Sequence, residues 1–397
     1  MIPDIRKAFN ENYSEAAYQQ VLDSIEQAFP GDLVFKVAET PVFLSEKLVG
    51  QLMEASSEIA EQLENPTLLA KMDAAVPGQY FVPGDEGKCE MFSLDFGICK
   101  NDNGEIVPQL IELQGFPTLF LFQEAEADAY RRAFGIDESW TNFFNGYDSV
   151  QYEKLLQGLI LKDHQPEEVI LLELLPAQQK TRIDFAATHR KFGIPVICIS
   201  EVFEENGDVF YEKDGKKIQV KRVYNRMIFD DFEAHKNELP RYLDITKPLN
   251  VEWCPHPNWF YKISKYTLPF LKSDYVPFTA FLDELDVLPT DLENYVLKPL
   301  FSFAGQGVII DVTIDAIEQI TDPENWILQK KVKYEPIIET LDDNAVFEIR
   351  LMFFREPDTG KAVLVNNLVR LSKGKMVGVR YNADKNWVGS SIAFFKR

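Results

Sequence analysis

Cysteine and histidine are scarce in this chain, with four of each among 397 residues. Cys89, Cys99, Cys198 and Cys254 form no CxxC pair and the histidines show no ligand spacing, which sets aside a zinc site and a disulfide framework. Cys198, inside the apolar run PVICI, reads as a small core residue. Long apolar runs are missing too. No stretch of about 18 or more uncharged apolar residues is present, and the start, MIPDIRKAFNENYSEAAYQQ, turns polar where a signal peptide would be apolar. A cytoplasmic protein without a membrane span is expected. Basic charge is also in deficit: 41 Lys and Arg against 63 Asp and Glu give a formal charge of -22. Such a field repels nucleic acid and anionic lipid, so neither is expected as a partner. An anionic ligand would need a local cluster of Lys, Arg and backbone N–H groups. Internal repeats, low-complexity segments, a Walker A loop and a dinucleotide fingerprint are all absent.

What is present is enough for two or three packed units, since 46% of the residues are hydrophobic and 13% aromatic. The first 75 residues read mostly as helix, as in SEKLVGQLMEASSEIAEQLE, with apolar residues at three- and four-residue intervals. MFSLDFGIC and IVPQLIELQGF predict the two strands of a hairpin about a turn at Asn101–Gly104, followed by a helix over 117–134. Residues 150–245 alternate helices and apolar strands, with a hairpin around Lys213-Asp214-Gly215, which predicts a parallel-sheet α/β unit ending in KRVYNRMIF. Beyond it, WFYKISKYTLPFLK predicts a helix, and ENYVLKPL, GVIIDV, WILQKKV, VFEIRLMFF and KAVLVNNLVRLS predict strands of an antiparallel sheet. The fold class is therefore mixed α/β.

Three groups of residues carry chemistry. In YVLKPLFSFAGQGVII, Lys298 ends an apolar strand and a loop with Ser302, Ala304, Gly305 and Gly307 precedes a second. Small residues let backbone N–H groups approach phosphate oxygens while the lysine supplies a point charge; the same pattern fits an ordinary glycine-bearing hairpin. WILQKKV ends near Tyr334-Glu335-Pro336, where a strand end could meet an adenine edge or be a common edge strand. Arg350 and Arg370 stand among apolar strand neighbours, so each needs an anion, a ligand or an ion-pair partner, and Glu348 could satisfy Arg350 or hold a metal. Asp95 lies on one hairpin strand, with Glu112 and Gln114 sharing a face of the other. Oxygen donors so grouped suit Mg²⁺, or else a solvated hairpin face.

Taken in order over roughly residues 90–390, these residues resemble the circularly permuted ATP-grasp proteins that include glutathionylspermidine synthase. Asp95-Phe96, Glu112-Leu113-Gln114 and Pro117-Thr118 stand where that family has an aspartate with an aromatic, Glu-x-Asn and Pro-Thr. VYNRMIFDDF is similar to its Tyr-x-Arg strand and brings in Arg226; ISKYTLPFL is similar to its lysine-bearing helix start and brings in Lys265. Lys298-Pro299, Gly305 and Gly307, then Gln329 and Pro336, then Arg350 and Arg370 complete the order. Gln114 replaces the usual asparagine, and Ser93 stands where the synthases commonly carry an arginine, which leaves the acyl substrate undefined.

The resemblance implies an ATP-grasp fold in circularly permuted order with an inserted pre-ATP-grasp-like α/β domain. Its parts would be residues 1–145, with helices and the metal-binding hairpin, 146–245, a substrate domain, and 246–397, the ATP-binding lid and remaining sheet. It implies that Lys265, Lys298, Ser302, Gly305 and Gly307 hold ATP phosphates, that Gln329, Lys330 and Val332 meet the adenine, and that Asp95, Glu112 and Gln114 bind Mg²⁺. Arg370, Arg350 and Arg226 would face transferred phosphate or a substrate carboxylate. The expected activity is ATP- and Mg²⁺-dependent ligation of a small-molecule carboxylic acid to an amine through an acyl phosphate. An ATP-binding module without turnover and a small-molecule kinase are the alternatives.

Overall fold

The structure is a computed structural model that describes residues 2–101, 103–302, 305–374, 377 and 382–397. Four helices occupy the amino-terminal part: Pro3–Asn12, Glu15–Ala28, Glu46–Leu63 and Pro66–Met72. The third begins where Ser45 accepts from the Leu48 N–H at 3.4 Å, satisfying one of the donors a helix start leaves open. Leu48, Leu52, Ala55, Ile59 and Leu63 recur along one stripe and are buried. At about 1.5–3 kcal/mol for each fully buried large apolar side chain, this stripe is what fastens the helix down.

Beneath it lies a sheet assembled from distant stretches. Strands β1 (Met91–Lys100) and β2 (Ile106–Gln114) form a hairpin. The chain then leaves through helices Phe122–Phe134 and Ser149–Leu161 into a parallel sheet. Its strands are β3 (Val169–Glu173), β4 (Val196–Cys198), β5 (Arg222–Asn225) and β6 (Glu252–Cys254), in the order β6-β5-β3-β4. A hairpin hangs from it, Asp208–Lys213 with Lys216–Val220, turning at Asp214 and Gly215, both at positive φ as such a two-residue turn requires. A second antiparallel sheet follows: β7 (Thr279–Phe281), β8 (Tyr295–Pro299) and β9 (Trp326–Lys330), in the order β7-β9-β8. Leu282, Leu292, Leu297, Val312 and Leu328 give this lid sheet its own small core. The chain finally returns to the first sheet as β10 (Val346–Arg355), β11 (Ala362–Ser372) and β12 (Gly389–Ser391), completing the order β12-β11-β10-β1-β2.

Period-two alternation divides the central sheet into unlike faces. Phe347, Ile349 and Leu351 of β10, Leu94 and Phe96 of β1, and Val369 and Leu371 of β11 pack with the stripe of helix Glu46–Leu63. Glu348, Arg350, Asp95, Glu112 and Arg370 point the other way, into the space between this sheet, the lid sheet and segment 256–271. Three expected elements differ. Residues 117–121 are not helical, and Leu119 there takes φ 59°, so the helix starts at Phe122. GVIIDV contributes one bridge, Ile309 with Leu297, on the open edge of β8, and forms no strand beyond it. The segment WFYKISKYTLPFLK breaks into a short helix Trp259–Lys262 and a 3₁₀ stretch Lys265–Phe270, since Pro269 cannot donate to a helical ladder.

Candidate functional site

The centre of the site is a register effect. Asp95 of β1 lies opposite Arg350 of β10 on one side and Glu112 of β2 on the other. With no solvent exposure, Asp95 accepts from Arg350 Nε and Nη2, both at 2.7 Å, and from Arg370 Nη2 at 2.8 Å. Such a two-pronged guanidinium–carboxylate pair fixes both partners. Arg370 reaches on to Glu348 Oε2 at 2.9 Å, and the other oxygen of Glu348 accepts from the Tyr334 hydroxyl. Burial alone would loosen the Arg370 proton, but Glu348, Asp95 and Glu112 outweigh it and raise its pKa. Burial raises the Glu348 carboxyl against the pull of Arg370 and Tyr334.

Glu112 and Gln114, two apart on β2, stand beside this network. Gln114 Nε2 donates to Glu112 Oε1 at 2.8 Å, leaving Gln114 Oε1 buried without a partner among the described residues. Burial favours a neutral Glu112, yet Lys265, Arg370, Arg350 and Lys298 together overcome that and hold it well below the usual carboxylate range. Lys298, on the inner face of β8, donates to Gln329 Oε1 at 2.6 Å and to the Ile111 carbonyl at 3.1 Å. Burial, helped by Lys265, brings Lys298 down to about 8. Lys265 donates to the Ser302 carbonyl; burial lowers its pKa too, against Glu112 and Asp230.

Glycine makes the close approaches possible. A Cβ on Gly115 would lie 2.1 Å from the Trp259 carbonyl oxygen, so only glycine lets β2 run this near to the segment that carries Lys265. A Cβ on Gly97 would lie 2.8 Å from the Tyr334 ring. Phe260, Phe301, Ser302, Lys265, Glu112 and Gln114 line a cleft with about 310 Å³ of empty space including its open mouth.

The other expected site residues fall as follows. Ser302 is half-buried at the start of the glycine loop, and Gly305 and Gly307 take φ 73° and 74°. Ala304 lies outside the described residues. Gln329 is buried and also donates to Thr279 Oγ1 at 3.2 Å. The Lys330 N–H is spent on the Phe278 carbonyl at 2.8 Å, whereas the Val332 N–H has no main-chain partner among the described residues. Arg226 stands apart. It is buried at the end of β5, donating to the Pro117 carbonyl and to Thr181 Oγ1 at 3.4 Å, with its guanidinium 5.4 Å from the Phe185 ring and 5.9 Å from that of Phe116. Its Nε has no partner among the described residues. Sequence reasoning named Tyr334 only as part of a strand end and missed its bond to Glu348, and it missed Gly97; the signal for Gly97 lay in the register, opposite Glu348, which no local pattern carries.

Among the described residues no group of three or more His, Cys, Asp or Glu could hold a metal ion. The residues present fit Mg²⁺ in a narrower sense: an ionised Glu112 and the unpartnered oxygen of Gln114 are available, and such an ion keeps phosphate and water for its remaining positions. Asp95 accepts two of its three guanidinium bonds on Oδ2 and one on Oδ1. Nor is any helix among the described residues long and apolar enough to cross a membrane.

No known family profile matches the chain. Nor does any curated protein match it. Among solved structures it is similar to the apo form of a glutathione synthetase-like effector from Globodera pallida, at 13% identity and a TM-score of 0.58, over 96% of this chain and 97% of that one. The likeness spans essentially both chains, so the two share an α+β fold.

Proposed function

We propose that the protein is an ATP- and Mg²⁺-dependent carboxylate–amine ligase, built as a circularly permuted ATP-grasp fold with the parallel sheet inserted in it. One observation carries the reading. Lys298 from the lid sheet, Lys265 from the connecting segment, and Arg350 and Arg370 from the central sheet all bear on Glu112, so four cations converge on one carboxylate in a protein of formal charge -22. A local concentration of cations held against the overall field is what binding a triphosphate demands. The fold of a glutathione synthetase-like neighbour supports the same reaction class.

In this reading Lys265 and Lys298 grip phosphate oxygens from two sides, and the turn with Ser302, Gly305 and Gly307 covers them with backbone N–H groups. Gln329 orients Lys298, and residues 330–332 offer the adenine a strand end. Arg370, a third exposed, faces the moving phosphoryl group, while Asp95 keeps Arg370 and Arg350 aligned. Glu112 and Gln114 would hold Mg²⁺, which supplies charge neutralisation between phosphate oxygens. Arg226, stacked between Phe116 and Phe185, would receive a substrate carboxylate. Dependence on ATP fits the cytoplasmic location expected from the sequence. Residues 1–145, 146–245 and 246–397 would then be the hairpin, substrate and lid parts.

Calorimetry with the nonhydrolysed analogue of MgATP tests this. The wild-type chain binds it, and Lys298→Ala weakens binding at least about tenfold while leaving the circular-dichroism spectrum unchanged. Near-normal affinity in that variant returns the loop to an ordinary hairpin. A second reading, nucleotide binding without turnover, draws on the engagement of Asp95 by two guanidinium groups, which ties the expected metal ligand to the arginines. Release of ADP only when a suitable acid is added decides between them.

A further inference from the structure

The lid sheet and the arginine network are joined by a short strap, residues 331–336, and its hydrogen bonds divide in the middle. On the lid side the Lys331 N–H donates to the Asn294 carbonyl at 2.7 Å. On the central-sheet side the Glu335 N–H donates to the Ile98 carbonyl at 3.0 Å, and Glu335 pairs with Lys100 at 3.1 Å. Between these anchors Tyr334 turns inward across Gly97, the one place on β1 where a ring can lie against the backbone without meeting a Cβ. Its hydroxyl donates to Glu348 Oε1. From there the contacts run without a break: Glu348 Oε2 to Arg370 at 2.9 Å, Arg370 to Asp95 at 2.8 Å, and Asp95 to Arg350 at 2.7 Å.

We propose that Tyr334 is a positioning residue that couples occupancy of the strand end at 329–332 to the placement of Arg370 and Arg350, an inference that rests on the nucleotide-binding reading above. The physical ground is directionality. Glu348 is buried and holds two donors, one on each oxygen, so any displacement of the strap either breaks the hydroxyl bond or drags the carboxylate and Arg370 with it. A ring that only filled the space over Gly97 would need no hydroxyl, and its polar atom would not have to meet the one carboxylate that holds Arg370 from outside Asp95. Arg370, Asp95, Glu112 and Lys298 are the charged groups that face the hydroxyl's partner Glu348, from β11, β1, β2 and β8.

Adenosine, which lacks phosphate, and inorganic phosphate, which lacks a base, probe the two ends separately on the full chain. In the wild type each raises the affinity of the other about fivefold or more, by the same factor in both directions, as linkage requires. Tyr334→Phe keeps the ring; each probe alone then binds within about twofold of wild type, but the linkage factor falls to about one. Glu348→Gln, which keeps the shape and removes the charge, also abolishes the linkage. Thermal unfolding of both variants checks that the fold persists. Two bound probes without linkage in the wild type, or linkage that survives Tyr334→Phe, overturn the coupling and leave the nucleotide reading standing. Failure of either probe to bind overturns the nucleotide reading, and the coupling with it.

Discussion

A carboxylate sealed from solvent, as Asp95 is, can remain charged only if its donors are strong and fixed. Arg350 and Arg370 are unequal in this respect, because the first is buried while the second keeps 34% of its side chain exposed. Asp95→Asn strands a buried guanidinium and should destabilise the protein by about 3–5 kcal/mol in urea unfolding. Arg370→Gln, losing a contact that water partly screens, should cost about 1 kcal/mol or less in the same experiment. Lys298 gives a pH signature. Burial depresses it from 10.5 to about 8, so in that window the unfolded chain holds a proton that the folded chain lacks, and this group's contribution to stability increases as pH rises. Phosphate binding runs the other way, since an anion beside Lys298 favours its charged form. Affinity for ATP should fall above pH 8 by up to about tenfold per pH unit, with proton uptake visible by calorimetry in buffers of different ionisation enthalpy.

At the scale of elements, the join that matters is between β2 and the segment 256–265, which meet where Gly115 touches the Trp259 carbonyl. The opposing atom is backbone, so no rotamer can relieve an added methyl. Gly115→Ala should destabilise by about 3 kcal/mol or more, at or beyond the top of the usual overpacking range, and should weaken ATP binding because Lys265 moves with the segment. Equilibrium unfolding together with calorimetry checks both effects. The strands themselves were legible in the sequence, because MFSLDFGIC and VFEIRLMFF carry the alternation of a sheet with one apolar and one mixed face. Glu112 and Gln114 were legible as a shared face for the same reason. The partnership of Asp95 with Arg350 was not. It depends on β10 pairing with β1 at one register across 255 positions, and a slip of one residue would send every side chain to the opposite face. GVIIDV looked like a strand because it is apolar, but it meets the edge of β8 only at Ile309 and otherwise stays irregular.

The whole molecule sets two fields against each other. Its formal charge of -22 repels a nucleotide at long range, whereas Lys265, Lys298, Arg350 and Arg370 attract it only within the cleft. Salt distinguishes them. Raising ionic strength from about 0.01 M to about 0.15 M shortens the Debye length from about 30 Å to about 8 Å, which quenches the repulsion across the surface. The buried cations, shielded from mobile ions, lose far less. The association rate for MgATP should therefore rise several-fold over that range, opposite in sign to the fall seen where a basic surface steers an anion inward. Stopped-flow binding at a series of salt concentrations measures it. A rate that falls as salt is added would mean that the local cluster projects beyond the cleft, and that Lys265 and Lys298 guide the ligand's approach as well as holding it.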